Sequence, residues 1–426
     1  MSSSNQKLKK LREAEATQHD AFAALRFRDY RLFTIGRTLL FTGGQMQTVA
    51  LGWELYERTH SALVLGGIGL AQVLPVILLT LVTGHVADKF YRKPIMLLSL
   101  MVLAVCSLGL AVISYTHPAN AVFVIYTILV LTGVAKAFLK PASDALMFQL
   151  IPVNVFTNAA TWNSTSFQIA SVVGPALGGF AIALFKGATG VYLLAGFAGL
   201  LCFILITTIS EPQFTPSQEP ISLKALGAGA TFVWKNQLIL AAISLDMFAV
   251  LLGGAVALLP IFAKDILRVG PFELGCLDAA PSIGAFIMAV SLAHLPPLRK
   301  AGKALLWSVI GFGVVTIIFG LSRWYWLSLL MLAFSGALDA ISVVIRHTLV
   351  QIRTPDHLRG RVSAINSVFI STSNELGRFE SGLAAAFFGP VIAVVGGGIG
   401  TVLVAILAAY MWPEMRRLGS LEEYKK

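Results

Sequence analysis

Apolar residues run along this chain in long blocks, broken at intervals by short polar clusters. The blocks are too long for buried strands and too continuous for the one-sided stripe of a surface helix. Reading between the polar breaks predicts twelve helices, at about 31–56, 61–84, 94–115, 121–143, 158–185, 190–209, 238–263, 273–295, 304–322, 324–347, 362–388 and 391–412. Each approaches or exceeds the ~20 residues that cross a bilayer core. The narrowest breaks, Ser322-Arg323 and Gly389-Pro390, predict tight turns. The widest opens on the Pro-rich EPQFTPSQEP and splits the chain in two. The expected organisation is a tail over 1–30, a six-helix bundle over 31–209, a linker over 210–237, a second six-helix bundle over 238–412 and a tail over 413–426.

The two halves repeat. At an offset of 203, Gly133 falls on Gly336, Ala137 on Ala340, Pro152 on Pro355, Asn163-Ser164 on Asn366-Ser367, Gly174 on Gly377 and Gly179 on Gly382. Small residues coincide often in any membrane chain, but the Pro and Asn-Ser matches at one constant offset are more specific. Gly43-Gly44 and Gly253-Gly254 add a pair at offset 210. Two parallel six-helix repeats predict an all-α membrane protein of two pseudo-symmetric bundles, with a substrate site between them.

Composition agrees with the pattern. Of 426 residues, 56% are apolar and 12% charged, and mean hydropathy is +0.78, which excludes a soluble domain and a disordered chain. The net charge of +11 is not a nucleic-acid signature, because the basic residues concentrate in loops on one side. The termini and the loops after the even-numbered predicted spans hold 24 Lys/Arg, and the opposite loops hold 5. This asymmetry predicts that both termini are cytoplasmic. Cys106, Cys202 and Cys276 lie in apolar blocks without a CxxC, and the histidines never pair at ligand spacing, so neither a metal nor a cofactor is expected. No GxxxxGK[ST] loop or HExxH cluster occurs, which argues against an ATP-driven pump and a membrane enzyme.

Two motifs carry a family resemblance. Between predicted spans 2 and 3 stands Gly84-His-Val-Ala-Asp88-Lys-Phe-Tyr-Arg92-Lys93, and span 5 carries Gly174-Pro175-Ala-Leu-Gly178-Gly179. The former resembles the loop signature of the major facilitator superfamily, with Tyr91 where that signature has glycine. The span 5 stretch resembles the core of the superfamily's antiporter motif. The stretches RTPDHLRGRVSA (353–364) and SNELGRFESG (373–382) resemble its secretion-type branch, which contains the bacterial enterobactin exporter. The resemblance implies a gate on the cytoplasmic side built on Gly84, Asp88, Arg92 and Lys93. Gly84 would allow a tight exit from span 2, and Asp88 near a helix start would accept backbone N–H bonds. It also implies export by antiport for the span 5 motif, whose glycines remove bulk from one stripe.

Ionisable residues inside spans are costly and become functional candidates by default. The resemblance implies that spans 1, 4, 7 and 10 line a central cavity; here they carry Arg37, Lys136, Asp246 and Asp339. Lys136 and Asp339 are repeat-equivalent, so basic groups in the first half should face acidic groups in the second across a two-fold axis. Asp246 and Asp339 are the proton-coupling candidates, and Arg37 and Lys136 their cavity charge partners. Gln45, Gln47, Asn374 and Glu375 are possible substrate contacts, with Glu375 and Arg378 also placed to pair along one helix. Asp278 is expected to be solvated near the outer end of span 8. The function expected is a secondary transporter of the bacterial inner membrane, functional as a monomer. It would export a small organic, siderophore-like or amphiphilic compound against protons by alternating access. An uptake symporter or facilitator on the same fold, or a non-transporting receptor or scaffold, are the alternatives.

Overall fold

The structure, a computed structural model, describes residues 20–210, 231–296 and 300–419. The expected tails at 1–19 and 420–426, and most of the linker, lie outside the described residues. Twelve long helices follow in order: α1 (Arg28–Thr59), α2 (Ala62–Lys89), α3 (Arg92–Thr116), α4 (Ala121–Gln149), α5 (Phe156–Phe185), α6 (Thr189–Thr207), α7 (Gln237–Leu252), α8 (Pro271–His294), α9 (Ala301–Leu321), α10 (Tyr325–Arg353), α11 (Asp356–Phe388) and α12 (Pro390–Met411). No strand occurs among the described residues. Ten of the helical segments have the length and hydropathy of a membrane span. The two long helices outside that set, α1 and α11, carry the charges of Arg37, Glu54 and Glu57, and of Glu375, Arg378 and Glu380.

Local chemistry explains the turns. α1 ends on His60 in the left-handed region, at φ 47°, and Ser61 caps α2 by accepting from the Val64 N–H at 3.4 Å. Gly389, at φ 86°, ends α11 and lets Pro390 open α12. The tight turn expected at Ser322-Arg323 separates α9 from α10. Span 7 departs from expectation. α7 stops at Leu252, and Gly253-Gly254 leads into a 3₁₀ turn (Ala255–Leu258), a single α turn (Leu259–Ile261) and a π turn (Phe262–Ile266). The space explains the break: a Cβ on Gly254 would lie 2.5 Å from the Gly377 carbonyl of α11, so only bare backbone fits.

The packing repeats from half to half. In the first, α1 packs on α5 and α6, α3 on α4 and α6, and α2 on α4. In the second, α7 packs on α11 and α12, α9 on α10 and α12, and α8 on α10. Adding six to each helix number converts one set into the other. The halves join along two seams, α2 with α11 and α5 with α8, which the same operation exchanges. Each seam crosses at a pair of glycines. A Cβ on Gly179 would lie 2.9 Å from the Gly275 Cα, and one on Gly66 would lie 2.9 Å from the Gly382 Cα. Gly179 and Gly382 are the repeat pair seen in the sequence, so the duplication placed one glycine of each crossing.

Candidate functional site

Helix ends alternate between two faces. The face at which α1 begins and α2 ends bears the Lys/Arg-rich loops and is called here the basic end; the other is the far end. Along α1, Arg37, Phe41, Gly44, Thr48 and Gly52 recur at helical spacing on one side, and that side faces the second half. A Cβ on Gly52 would stand 3.0 Å from the Pro260 ring. Thr48 lines a void of about 60 Å³ between the halves, with Gly69, Pro260, Asp278 and Arg378.

Beyond that void the far end is clamped. Tyr56 O–H donates to Asp265, and Lys264 Nζ pairs with Glu57 Oε1 at 3.2 Å, both across the halves. The π turn after the α7 break presents Lys264 and Asp265 to the end of α1. Toward mid-bundle, Gln168 Nε2 donates to the Ser282 carbonyl at 3.0 Å, joining α5 to α8. These hydrogen bonds and ion pairs join the halves from mid-bundle to the far end. Lys136, midway along α4, is nonetheless exposed, and its Nζ donates to Gln72 Oε1 at 2.6 Å. Lys136 and the exposed Gly44 of α1, where a Cβ would meet nothing within 4 Å, leave open space at mid-bundle.

The structure pairs Arg37 and Asp246 each within its own half. Arg37 pairs with Asp144 of α4 at 2.8 Å, its guanidinium 5.7 and 5.1 Å from the centres of the Phe33 and Phe41 rings. Asp246 of α7 pairs with Arg346 of α10 and is buried. The two pairs correspond: first helix to fourth in each half, at nearly equivalent positions, with the signs exchanged. Asp246 therefore does not meet Arg37 or Lys136 across the cavity. Asp339 shares with Asp246 a small void inside the second half, lined also by Ser308, Phe312 and Ser342. Lys136 instead lies within electrostatic reach of Glu375 and Arg378 of α11. Asp278 is half-buried against the inter-half void, not solvated at an outer surface.

Other expected site residues divide. Gln45 packs at Gly174, where a Cβ would lie 3.0 Å from the Thr42 carbonyl of α1, and Gly178 meets the Met46 backbone at 2.9 Å in the same way. Gly174 and Gly178 thus seat α5 on α1, while Gly179 seats it on α8; Pro175 lies within an unbroken α5. Gln47 is buried, accepting from Ser107 of α3 at 2.8 Å, because it sits about a third of a turn off the cavity-facing side of α1. It is a tie between helices and not a substrate contact. Asn374 is exposed on α11, and Glu375 pairs with Arg378 at 3.5 Å. α2 continues through Gly84 to Lys89, so Gly84 is helical and makes no tight exit. Asp88 lies in the last turn of α2 and not at a helix start. Lys93 donates to the Thr207 and Ile209 carbonyls at 3.1 and 2.6 Å, tying the signature loop to the end of α6. Sequence reasoning passed over Asp144, one residue past the predicted end of span 4, and Arg346, at the basic end of predicted span 10, where it counted with the loop charges. It also passed over Tyr56, Glu57, Lys264 and Asp265. Their one signal was charge at the mouths of spans 1 and 7, the helices the repeat makes equivalent.

The family model of the transmembrane secretion effectors matches residues 19–423. The chain belongs to that family, within the major facilitator superfamily. It is similar to the enterobactin exporter EntS of Shigella flexneri, 25% identical over 394 residues that cover 91% of this chain and 92% of the relative. The EntS protein of Escherichia coli O81 is likewise 25% identical over 398 residues. In fold it is similar to a D-xylose–proton symporter, at a TM-score of 0.70 and 14% identity, covering 92% of this chain and 99% of that one. A bacterial homologue of the lysosomal transporter Spinster aligns at 0.69 and 16% identity, covering 92% and 97%. The chain is thus an integral membrane protein with a transporter fold, and the two bundles expected from its sequence are those of the superfamily.

Proposed function

We propose that this chain exports a small organic compound, siderophore-like or amphiphilic, in exchange for protons by alternating access. It does so in the bacterial inner membrane, as a monomer, with the basic end and both termini in the cytoplasm. The observation that carries the reading is a clamped far end set against an exposed cation at mid-depth. The far end is clamped by Tyr56–Asp265 and Glu57–Lys264, while Lys136 stands exposed at mid-depth. One open and one closed end are what a carrier needs at each stage of its cycle, and a channel does not.

Export is supported by the span 5 glycines, which fit α5 onto both neighbours, and by the likeness to proteins named as exporters. Proton coupling is supported by acids that no water-filled loop requires. Asp339 is the better candidate, because Arg346 already neutralises Asp246 beside it. A carboxyl in a confined void between packed helices gains or loses its proton as water reaches it.

The test is accumulation of a panel of siderophores, enterobactin among them, and amphiphilic dyes in inverted membrane vesicles under an imposed proton gradient. Accumulation that collapses with an uncoupler and in Asp339→Asn supports the assignment. Accumulation indifferent to the gradient refutes proton coupling. Accumulation that needs the gradient but survives both Asp339→Asn and Asp246→Asn refutes those residues.

A further inference from the structure

One side of α10 carries a polar stripe that the transport reading uses only in part. Asp339, Ser342 and Arg346 follow one another at steps of three and four residues, so they stack along the helix. That side meets α7, which brings Asp246, and α9, which brings Ser308. Arg346 pairs with Asp246 through Oδ1. Among the described residues no cation pairs with Asp339. Between these side chains lies the small void inside the second half, about 10 Å³ in volume, with Val309 and Phe312 among its apolar walls. It has room for one water-sized guest. Ser342, which lines it, is 3% exposed, and its hydroxyl has no hydrogen-bond partner. Ser308 Oγ donates to the Leu305 carbonyl at 2.8 Å, which leaves its lone pairs to bind a cation.

A buried polar oxygen without a partner is unfavourable, and a guest in the void would satisfy it. Two carboxylates and one guanidinium leave a net single negative charge in a medium of low dielectric, which one further positive charge would neutralise. The available donors are all oxygens, the ligands of hard cations. A hard, monovalent, water-sized cation meets all three demands, whereas a divalent ion would leave the group charged. We propose that α7, α9 and α10 enclose a Na⁺ site, ligated by the carboxylates of Asp246 and Asp339 and the hydroxyls of Ser342 and Ser308. Asp339 is half-buried and gives the ion its way in. The first half has no counterpart: at the offset of 203, Lys136 stands in the place of Asp339 and Leu139 in the place of Ser342. The proposal goes beyond the transport reading, because it states what binds and holds whether or not protons drive export.

The test is a titration of the full chain, reconstituted in lipid nanodiscs, with NaCl at an ionic strength kept constant by choline chloride. Bound radiolabelled sodium and the thermal transition are both read. The expected result is saturable binding of one ion per chain, with a transition that rises as NaCl replaces choline, since a ligand of the folded state stabilises by mass action. Asp339→Asn should abolish the saturable binding. Ser342→Ala should weaken it by about tenfold or more. In choline alone, Ser342→Ala should melt no lower than wild type, because it removes a hydroxyl that has no partner there. This second variant keeps the test decisive if Asp339→Asn does not fold. A wild type that binds no sodium and melts alike in both salts overturns the proposal, and the void then holds water only. An equal rise in KCl overturns the assignment to Na⁺. Saturable binding unchanged in both variants places the ion elsewhere and likewise overturns the site.

Discussion

The glycine crossing of α5 on α8 makes a quantitative demand. An added Cβ at Gly179 runs into the Pro271 carbonyl and falls 2.9 Å from the Gly275 Cα and 3.0 Å from its N, all atoms of helical backbone that cannot swing aside. Carbon atoms in contact sit at about 3.5–4.0 Å, so Gly179→Ala forces the seam apart by roughly 0.6–1.1 Å. Overpacking of this kind costs about 1–3 kcal/mol. The cost falls on the state in which the far end is closed and is relieved when the helices part. At ~1.4 kcal/mol per tenfold, the balance should move roughly five- to a hundredfold toward far-end opening. A cysteine at Thr48, on the wall of the void, reads this out through its rate of modification by a membrane-impermeant thiol reagent added from the far side. Gly179→Ala should raise that rate in the same range, and Gly179→Val should raise it further. Gly187→Ala, in open space, should leave it unchanged. A rate in Gly179→Ala equal to wild type, in protein that purifies as well as wild type, would refute the idea that this crossing holds the far end shut.

Two further outcomes follow from named contacts. Glu57→Cys with Lys264→Cys, joined by a short bifunctional thiol reagent, should fix the far end closed and stop transport until the link is reduced, whereas either cysteine alone should respond little to the reagent. Arg346→Met strands the buried Asp246 carboxylate and should cost about 3–5 kcal/mol, measured as a lowered thermal transition in detergent, with Asp246→Asn in the same chain recovering most of it.

The helices and their duplication were legible because bilayer solvent imposes long apolar blocks, and because duplicated glycines and prolines hold their register. The seams were half legible: Gly179 and Gly382 stood out as a repeat, but their partners Gly275 and Gly66 emerge only when α5 meets α8 and α2 meets α11. The charge pairs were not legible. Arg37 and Asp144 are 107 residues apart, and nothing local tells an arginine on α1 to turn toward its own half. Asp144 read as a loop charge because hydropathy ends span 4 several residues before the helix ends, and Arg346, within the last residues of predicted span 10, was counted with the loop charges beyond it. Asp278 was misjudged for the opposite reason: its position near a span mouth suggested water, while the far-end closure encloses it beside Arg378.

The sign-exchanged pairs Arg37–Asp144 and Asp246–Arg346 bear on how such a molecule answers the membrane potential. Each pair lies within one half, so it travels with that half, and each sums to zero. A lone charge carried across the field would cost ~2.3 kcal/mol per 100 mV, enough to make the position of the halves a function of voltage. Neutral dipoles that move as units do almost no electrical work. These two pairs therefore add almost nothing to the voltage dependence of the rocking, which falls to Lys136 and the other charges between the helices and to the ions and substrate carried.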